Sequence, residues 1–489
     1  GRDLGQTEQA KRVNGMNYNA SINRRDFCMS AASVLAAASV SGCQAGTASF
    51  RNVLLLIGDD HGLDTPSYGN PSIQTPNLDR LAWDGVRFSN AFCTTASCSP
   101  SRSVILTGLH NHTNGQLGLA HGHHNFHTLP WVQTLPRLLK NRGYTTGVIG
   151  KLHVNPASLY PFDVCVTGEE LGSIRSVATM SERARGFFEK NRDKPFFLLM
   201  GYGDPHRSAK GFGNEQPYPG VEEIPYLPEN MKQPAFPQDS AAVREELAEY
   251  SQAVSRLDLG IGMVLEALQA SGKDKDTLVI YISDNGPPFP GAKTNLYDPG
   301  IHLPLIVRSP EQAKRGVVNQ AMVSWTDLTP TILEWTGTPA PKEYELHGRS
   351  FLPILENENP SGWDSVFLSH TFHEVTMYYP MRGIRTRRYK YIQNLCPGLS
   401  FPHASDLYAS KTWQELLARP EMRMGQRTVQ DYLHRPSEEL YDLEQDPWEF
   451  LNLAQGAEFQ EILADLRGRT HEFRQRTNDP WLILENHAE

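Results

Sequence analysis

Five short stretches of the chain are apolar with little alternation: residues 52–57 (NVLLLI), 145–149, 196–201, 278–283 and 303–307. Continuous apolar runs of this length suit strands buried on both faces of a parallel sheet. Helical periodicity lies between them. It begins at 78–82 and 135–140, runs longest over 241–271 up to the C-cap residue Gly272, and returns at 327–335. Strands alternating with helices predict an α/β fold, a large and mostly parallel sheet flanked by helices. After about residue 370 the texture changes to short strand-like pieces (389–393, 439–443) and one amphipathic helix at 459–473. We read a larger domain over 44–370 and a smaller C-terminal α+β domain with an antiparallel sheet over 371–489. The Pro-rich stretch 216–237 is expected to be an ordered surface loop near the strand ends.

Composition narrows this picture. The 489 residues carry 46 basic and 55 acidic side chains, a net charge of −9, and 39% are hydrophobic. That balance excludes a disordered or polytopic membrane chain. It also argues against nucleic-acid binding, which needs a basic face. An anionic substrate must then be held by local charge. Six cysteines (28, 43, 93, 98, 165 and 396) form neither a disulfide scaffold nor a zinc spacing. The first 43 residues read as an address. Residues 1–15 are polar and are expected to precede a native start at Met16. Arg24-Arg25-Asp26-Phe27 and the short Ala/Ser-rich stretch 30–41 resemble a twin-arginine export signal, and Val40-Ser41-Gly42-Cys43 a bacterial lipobox acylated at Cys43. The expectation is an exported periplasmic or cell-envelope lipoprotein that meets the membrane only through that anchor; the sequence leaves room for a homodimer.

The chemistry gathers at strand ends, where α/β sheets bind ligands. Asp59-Asp60 follows the first apolar run and Asp284-Asn285 the fourth. Three carboxylates and an amide oxygen suit calcium or magnesium, not zinc, although either pair alone could cap a helix or build a turn. Gly150-Lys151-Leu152-His153 and Asp204-Pro205-His206 follow two further strands, and Lys293 lies shortly after Asn285. His61 is a weaker candidate. The run His121-Gly122-His123-His124 reads either as a metal tract or as a pocket lining.

Cys98-Ser99-Pro100-Ser101-Arg102 is the sharpest signal. This C-x-P-S-R run resembles the signature of the type I sulfatase family, as do G-K-x-H at 150–153 and x-P-H at 204–206. The resemblance covers residues 52–481 and implies the alkaline-phosphatase-like sulfatase fold. It also implies that a formylglycine-generating enzyme oxidises Cys98 to formylglycine. A hydrated aldehyde carries two hydroxyls on one carbon: one attacks sulfur, and the other lets sulfate be expelled without a separate hydrolysis. Asp59, Asp60, Asp284, Asn285 and position 98 would bind one divalent cation, calcium or else magnesium. Arg102 would support the nucleophile, Lys151 and Lys293 the sulfate oxygens, His153 would take a proton, and His206 would protonate the leaving group.

Within that family the chain is similar to the heparan N-sulfatases, or sulfamidases. The resemblance rests on SCSPSR (97–102), YPFD (160–163), DPHR (204–207), TNLYDPG (294–300), HEVTMYYPMR (373–382) and NDPW (478–481). It implies cleavage of the N-sulfate of glucosamine residues in a sulfated amino sugar or glycosaminoglycan oligosaccharide. His373, Glu374 and Arg382 would contact the sugar, or else pack between domains. One departure is that Lys293 stands where the animal sulfamidase has Arg, and O-sulfatases commonly have Lys there. An O-sulfatase on another sugar therefore stays open, as does a phosphonate or phosphate monoester hydrolase. A dead sugar-binding lipoprotein would predict decay at Cys98, Asp59, Asp284 or Lys151, all of which are intact.

Overall fold

The computed structural model describes residues 51–231, 235–236 and 239–483. Arg24, Arg25 and Cys43 lie outside them. Eight strands form the main sheet: β1 Asn52–Gly58, β2 Val86–Phe92, β3 Thr145–Gly150, β4 Val164–Val166, β5 Phe196–Gly201, β6 Thr277–Ser283, β7 Leu305–Arg308 and β8 Val317–Ser324. Their order is β4-β3-β5-β1-β6-β7-β2-β8. Only β7 runs antiparallel to its neighbours, so the sheet is mixed but mostly parallel.

The central strands show why unbroken apolar runs were needed. In β1, Val53, Leu55 and Ile57 enter one core while Leu54 and Leu56 enter the other. β5 and β6 divide their side chains in the same way. The helices Pro76–Asp84, Val177–Lys190 and Ala241–Ala270 cover one face, and Cys98–Thr107, Leu135–Asn141 and Leu328–Thr336 the other. Each fully buried Leu, Ile or Phe contributes roughly 1.5–3 kcal/mol.

Three strands escaped the search for continuous runs. β8 alternates buried and exposed over its first half, β2 is only partly buried, and β4 is a three-residue edge. The Cys98–Thr107 helix was also missed. All ten of its residues are buried, so it shows no polar face and no helical period.

A second sheet follows: β9 Ser365–His370, β10 Met381–Thr386, β11 Tyr389–Asn394, then the two-residue ribbon β12 Arg423–Met424 and β13 Arg427–Thr428, and finally β14 Glu438–Asp442. Four of these order as β14-β11-β10-β9, all antiparallel. The helix Gln460–Arg476 closes one face through Leu463 and Leu466. The sheet begins at Ser365, slightly before the change of texture in the sequence. Val366, Leu368, Met381 and Ile392 join the same core as β1 and β6, so the two sheets share apolar packing.

Candidate active site

The carboxyl ends of β1, β3, β5 and β6 converge. β1 leads into Asp59 and Asp60, whose backbones bond to the neighbouring strand ends: Asp59 N donates to Asp204 O at 3.0 Å and Asp60 N to Asp284 Oδ1 at 3.1 Å. β6 leads into Asp284 and Asn285. Beside β3, Gly150 lies so close to β5 that a Cβ there would sit 2.1 Å from Gly201 O. Its φ of 93° belongs to the left-handed region, and the resulting turn brings Lys151 N to Gly201 O at 2.7 Å. Asp60, His153 and Thr294, the last beside Lys293, hold φ values of 69°, 59° and 68°. Left-handed backbone in non-glycine residues costs energy and concentrates at functional sites.

Cys98 opens its helix at the centre of this cluster, with Sγ 3.8 Å from Asp60 Oδ1. Arg102, one helical turn on, donates from Nε to Asp284 Oδ2 at 2.8 Å and from Nη1 to Lys151 O at 2.9 Å. Lys151 Nζ lies 2.6 Å from Asp59 Oδ2. Lys293 Nζ lies 2.8 Å from Asp60 Oδ2 and 3.1 Å from His206 Nε2. His206 Nδ1 faces Arg207 O. Thus the residues of all five sequence motifs, with Lys293, meet in one place.

The electrostatics are those of a buried charge cluster. Burial pushes the Asp59 carboxyl up, but Lys151, His206 and Arg102 outweigh it and hold it well below the usual range. Burial pushes Asp284 up, against Arg102. Burial also pushes the Cys98 thiol well up, so an unmodified cysteine here keeps its proton and is a weak nucleophile. Lys293 resists its own burial because Asp406 and Asp60 hold its charge. His206 is depressed by burial and then by Lys293, and His153 by burial and then by Lys151 and Arg102.

The residues fit a hard cation. Asp59 Oδ1 and Asn285 Oδ1 are buried without a hydrogen-bond partner, and Asn285 turns its Nδ2 to Asp60 Oδ1 at 2.7 Å. Ligand atoms of Asp59, Cys98 and Asp284 come within 4.8 Å of one another, as do those of Asp60, Cys98 and His206. An oxygen-rich set of this kind suits calcium or magnesium.

Other expected residues fall elsewhere. His61 Nδ1 pairs with the Tyr281 hydroxyl at 2.5 Å, and burial pushes its pKa down to about 4, which leaves it neutral. His121 Nδ1 lies 2.6 Å from His153 Nε2, so it lines the site. Neither cation cluster among the described residues includes His121, His123 or His124. His373 Nδ1 meets Ser97 Oγ at 2.8 Å, directly before Cys98. Glu374 accepts from Ser405 N and Oγ, at 2.8 and 2.6 Å, and so props a neighbouring loop. The expectation that Arg382 contacts a sugar is corrected. It is fully buried and forked onto Asp479, at 2.9 Å from both Nε and Nη2, because its place on β10 faces the chain's C-terminal segment.

Asp406 was missed. It sits on the four-residue helix Ser405–Tyr408, with Oδ2 at 2.8 Å from Lys293 Nζ and 3.9 Å from His206 Nε2. No motif or spacing marks FPHASDLY at 401–408; only the tertiary contact reveals it. Asp204 was quoted without a role. It anchors the turn before His206 through buried Arg175 and Arg256.

A hydrolase acting on small tetrahedral oxyanions is the class that a cation cradle between two ammonium groups defines. A family model described as sulfatase matches residues 51–338, and one described as N-sulphoglucosamine sulphohydrolase, C-terminal, matches 292–398. The chain belongs to the sulfatase family and is a hydrolase of sulfuric esters or sulfamates. It is 42% identical over 465 residues to human N-sulphoglucosamine sulphohydrolase, covering 88% of this chain and 91% of that one. It is 29% identical to an ulvan-active sulfatase of Formosa agariphila, over 84% and 77% of the two chains. Among solved structures, a protein in complex with its substrate D-glucosamine-2-N,6-O-disulfate shares the fold with a TM-score of 0.64 at 21% identity, over 88% and 98%. A phosphonate monoester hydrolase of Agrobacterium radiobacter does so with 0.64 at 19%, over 87% and 96%.

Proposed function

We propose that the protein removes the N-sulfate of glucosamine residues in sulfated oligosaccharides, as in heparan breakdown. The observation that carries this reading is the 42% identity to human N-sulphoglucosamine sulphohydrolase over nearly the full length of both chains. The match of residues 292–398 to that enzyme's C-terminal family model supports it.

Formylglycine at position 98 and a divalent cation supply the nucleophile and the charge that offsets sulfate when both are in place. The chain's own residues do the rest. Lys151 and Lys293 present two ammonium groups as point charges for sulfate oxygens. Arg102 fixes Asp284 and the Lys151 carbonyl, and so the spacing of the cradle. His153, kept neutral by burial and its cationic neighbours, is ready to accept a proton and hand it to His121, whose loop is exposed. His206 presents Nε2 toward the leaving group.

Product analysis tests the substrate. Enzyme matured by a formylglycine-generating enzyme is incubated with N-sulfoglucosamine and with glucosamine 6-O-sulfate, and sulfate and new amine are counted together. Sulfate with equal amine from the N-sulfated sugar is expected. Release from the 6-O-sulfated sugar alone would move the protein to the O-sulfatases, with Lys293 the first residue to blame. Export as a lipoprotein is proposed from Arg24-Arg25 and Cys43; Cys43→Ala should shift the protein from the membrane to the soluble fraction, and an unchanged distribution would overturn the anchor.

A further inference from the structure

We infer that Asp406 is a specificity-determining residue, the carboxylate that favours a leaving nitrogen over a leaving oxygen. The inference rests on the amino-sugar reading above and extends it to a residue outside every motif of the sequence.

Short contacts link the charged groups in a chain. Cys98 Sγ lies 3.8 Å from Asp60 Oδ1, Asp60 Oδ2 lies 2.8 Å from Lys293 Nζ, and Lys293 Nζ lies 2.8 Å from Asp406 Oδ2. A sulfuryl group held by Lys293 meets its nucleophile from the Cys98 side. In-line displacement then sends the leaving atom the other way, toward His206 and Asp406. His206 is oriented for this. Its Nδ1 is fixed by Arg207 O, and its Nε2 stands 3.1 Å from Lys293 Nζ, 3.8 Å from Asp60 Oδ2 and 3.9 Å from Asp406 Oδ2. Asp406 is itself held in place: Leu407 N donates to its Oδ1 at 2.9 Å, and Glu374 grips Ser405 just before it.

The chemistry separates the two kinds of substrate. Before the N–S bond breaks, the sulfamate nitrogen takes a proton that solvent supplies through His206 Nε2, and becomes cationic. The bonding pair then stays on nitrogen, the sulfuryl group passes to the nucleophile, and the free amine departs; it gains its second proton from water. A sulfate ester differs, because its bridging oxygen passes from an ester to a neutral alcohol or an anion and carries no positive charge. A carboxylate beside the leaving atom therefore stabilises the first path and offers nothing to the second. It also offsets the crowding of Lys293 and the cationic nitrogen, the two positive groups left in that corner once His206 has given up its proton.

The test compares Asp406→Asn with the unaltered enzyme, both matured to equal formylglycine content, on N-sulfoglucosamine and on p-nitrophenyl sulfate. The second substrate has a leaving group that needs no proton, so its turnover also reports folding. On N-sulfoglucosamine, kcat/KM should fall about 100-fold, the low end for a lost charge or proton-transfer contact, against less than about 10-fold on the aryl ester. Asp406→Glu should recover part of the loss. Equal losses on both substrates would overturn the inference and make Asp406 a prop for Lys293. An unaltered enzyme that turns over the aryl ester but not N-sulfoglucosamine would instead overturn the amino-sugar reading, and this inference with it.

Discussion

Two groups of buried charge lie in this protein and end up with opposite roles. At the start of β10, Arg382 and Asp479 meet out of water with every side-chain nitrogen and oxygen of the pair engaged. Asp479 accepts from Arg382, Arg474 and Trp481 N, and Arg382 also donates to His370 O. At the ends of β1, β3 and β6 the charges are as deeply buried, yet Asn285 Oδ1 and His153 Nδ1 have no hydrogen-bond partner, and Asp59 Oδ1 and Arg102 Nη2 meet only as an ion pair at 3.6 Å. Backbone strain gathers there too, at Asp60 and His153. A buried polar atom left unpaired costs roughly 1–3 kcal/mol, and here the unpaired oxygens belong to residues that fit a cation. Pairing, more than burial or charge, separates the structural cluster from the functional one.

That contrast can be broken by substitution. The largest effect is expected at the strand ends: Asp284→Ala should lose the bound divalent ion by elemental analysis and, with it, turnover by at least about 10³-fold, on the scale of losing a whole catalytic constellation. Unchanged metal content would remove Asp284 from the cradle. Arg382→Ala should do the reverse. It leaves Asp479 buried beside one fewer cation and should cost about 3–5 kcal/mol in urea unfolding, with KM of the folded enzyme nearly unchanged. A large rise in KM with full stability would return Arg382 to the substrate.

The smallest effect is a pH dependence of that same pair. Burial raises the Asp479 carboxyl, but Arg382 and Arg474 outweigh it and hold it below its ordinary value. A carboxyl depressed in the folded state adds stability that is complete above its unfolded value of about 3.9 and is lost as pH falls through the lower folded value. The stability gap between the protein and Asp479→Asn should therefore be constant from pH 7 to about 5 and shrink below about 4. A gap that grows in acid would reverse the assignment.

Much of the strand-end cluster was legible in the sequence because chemistry there depends on residues adjacent in the chain. Asp59-Asp60, Asp284-Asn285, Cys98 to Arg102, and Lys151 with His153 each hang from one strand end or one helix start, and an apolar run ending in charge marks such a place. Arg382 misled for the opposite reason. A distinctive local run, HEVTMYYPMR, does not say which of its side chains face a pocket, and the tertiary fold sent His373 to Ser97, Glu374 to Ser405 and Arg382 to Asp479.

By itself, then, the sequence determined the parallel α/β core and marked the residues that gather at its strand ends, since hydrophobic period and local spacing are properties of neighbours along the chain. Tertiary structure alone decided the rest. It drew Asp406, more than a hundred residues away from Lys293, to within 2.8 Å of that ammonium, made His121 the partner of His153, and sealed Arg382 beneath the C-terminal segment. Contacts of that span depend on how two sheets share one core, and no local pattern of residues encodes them.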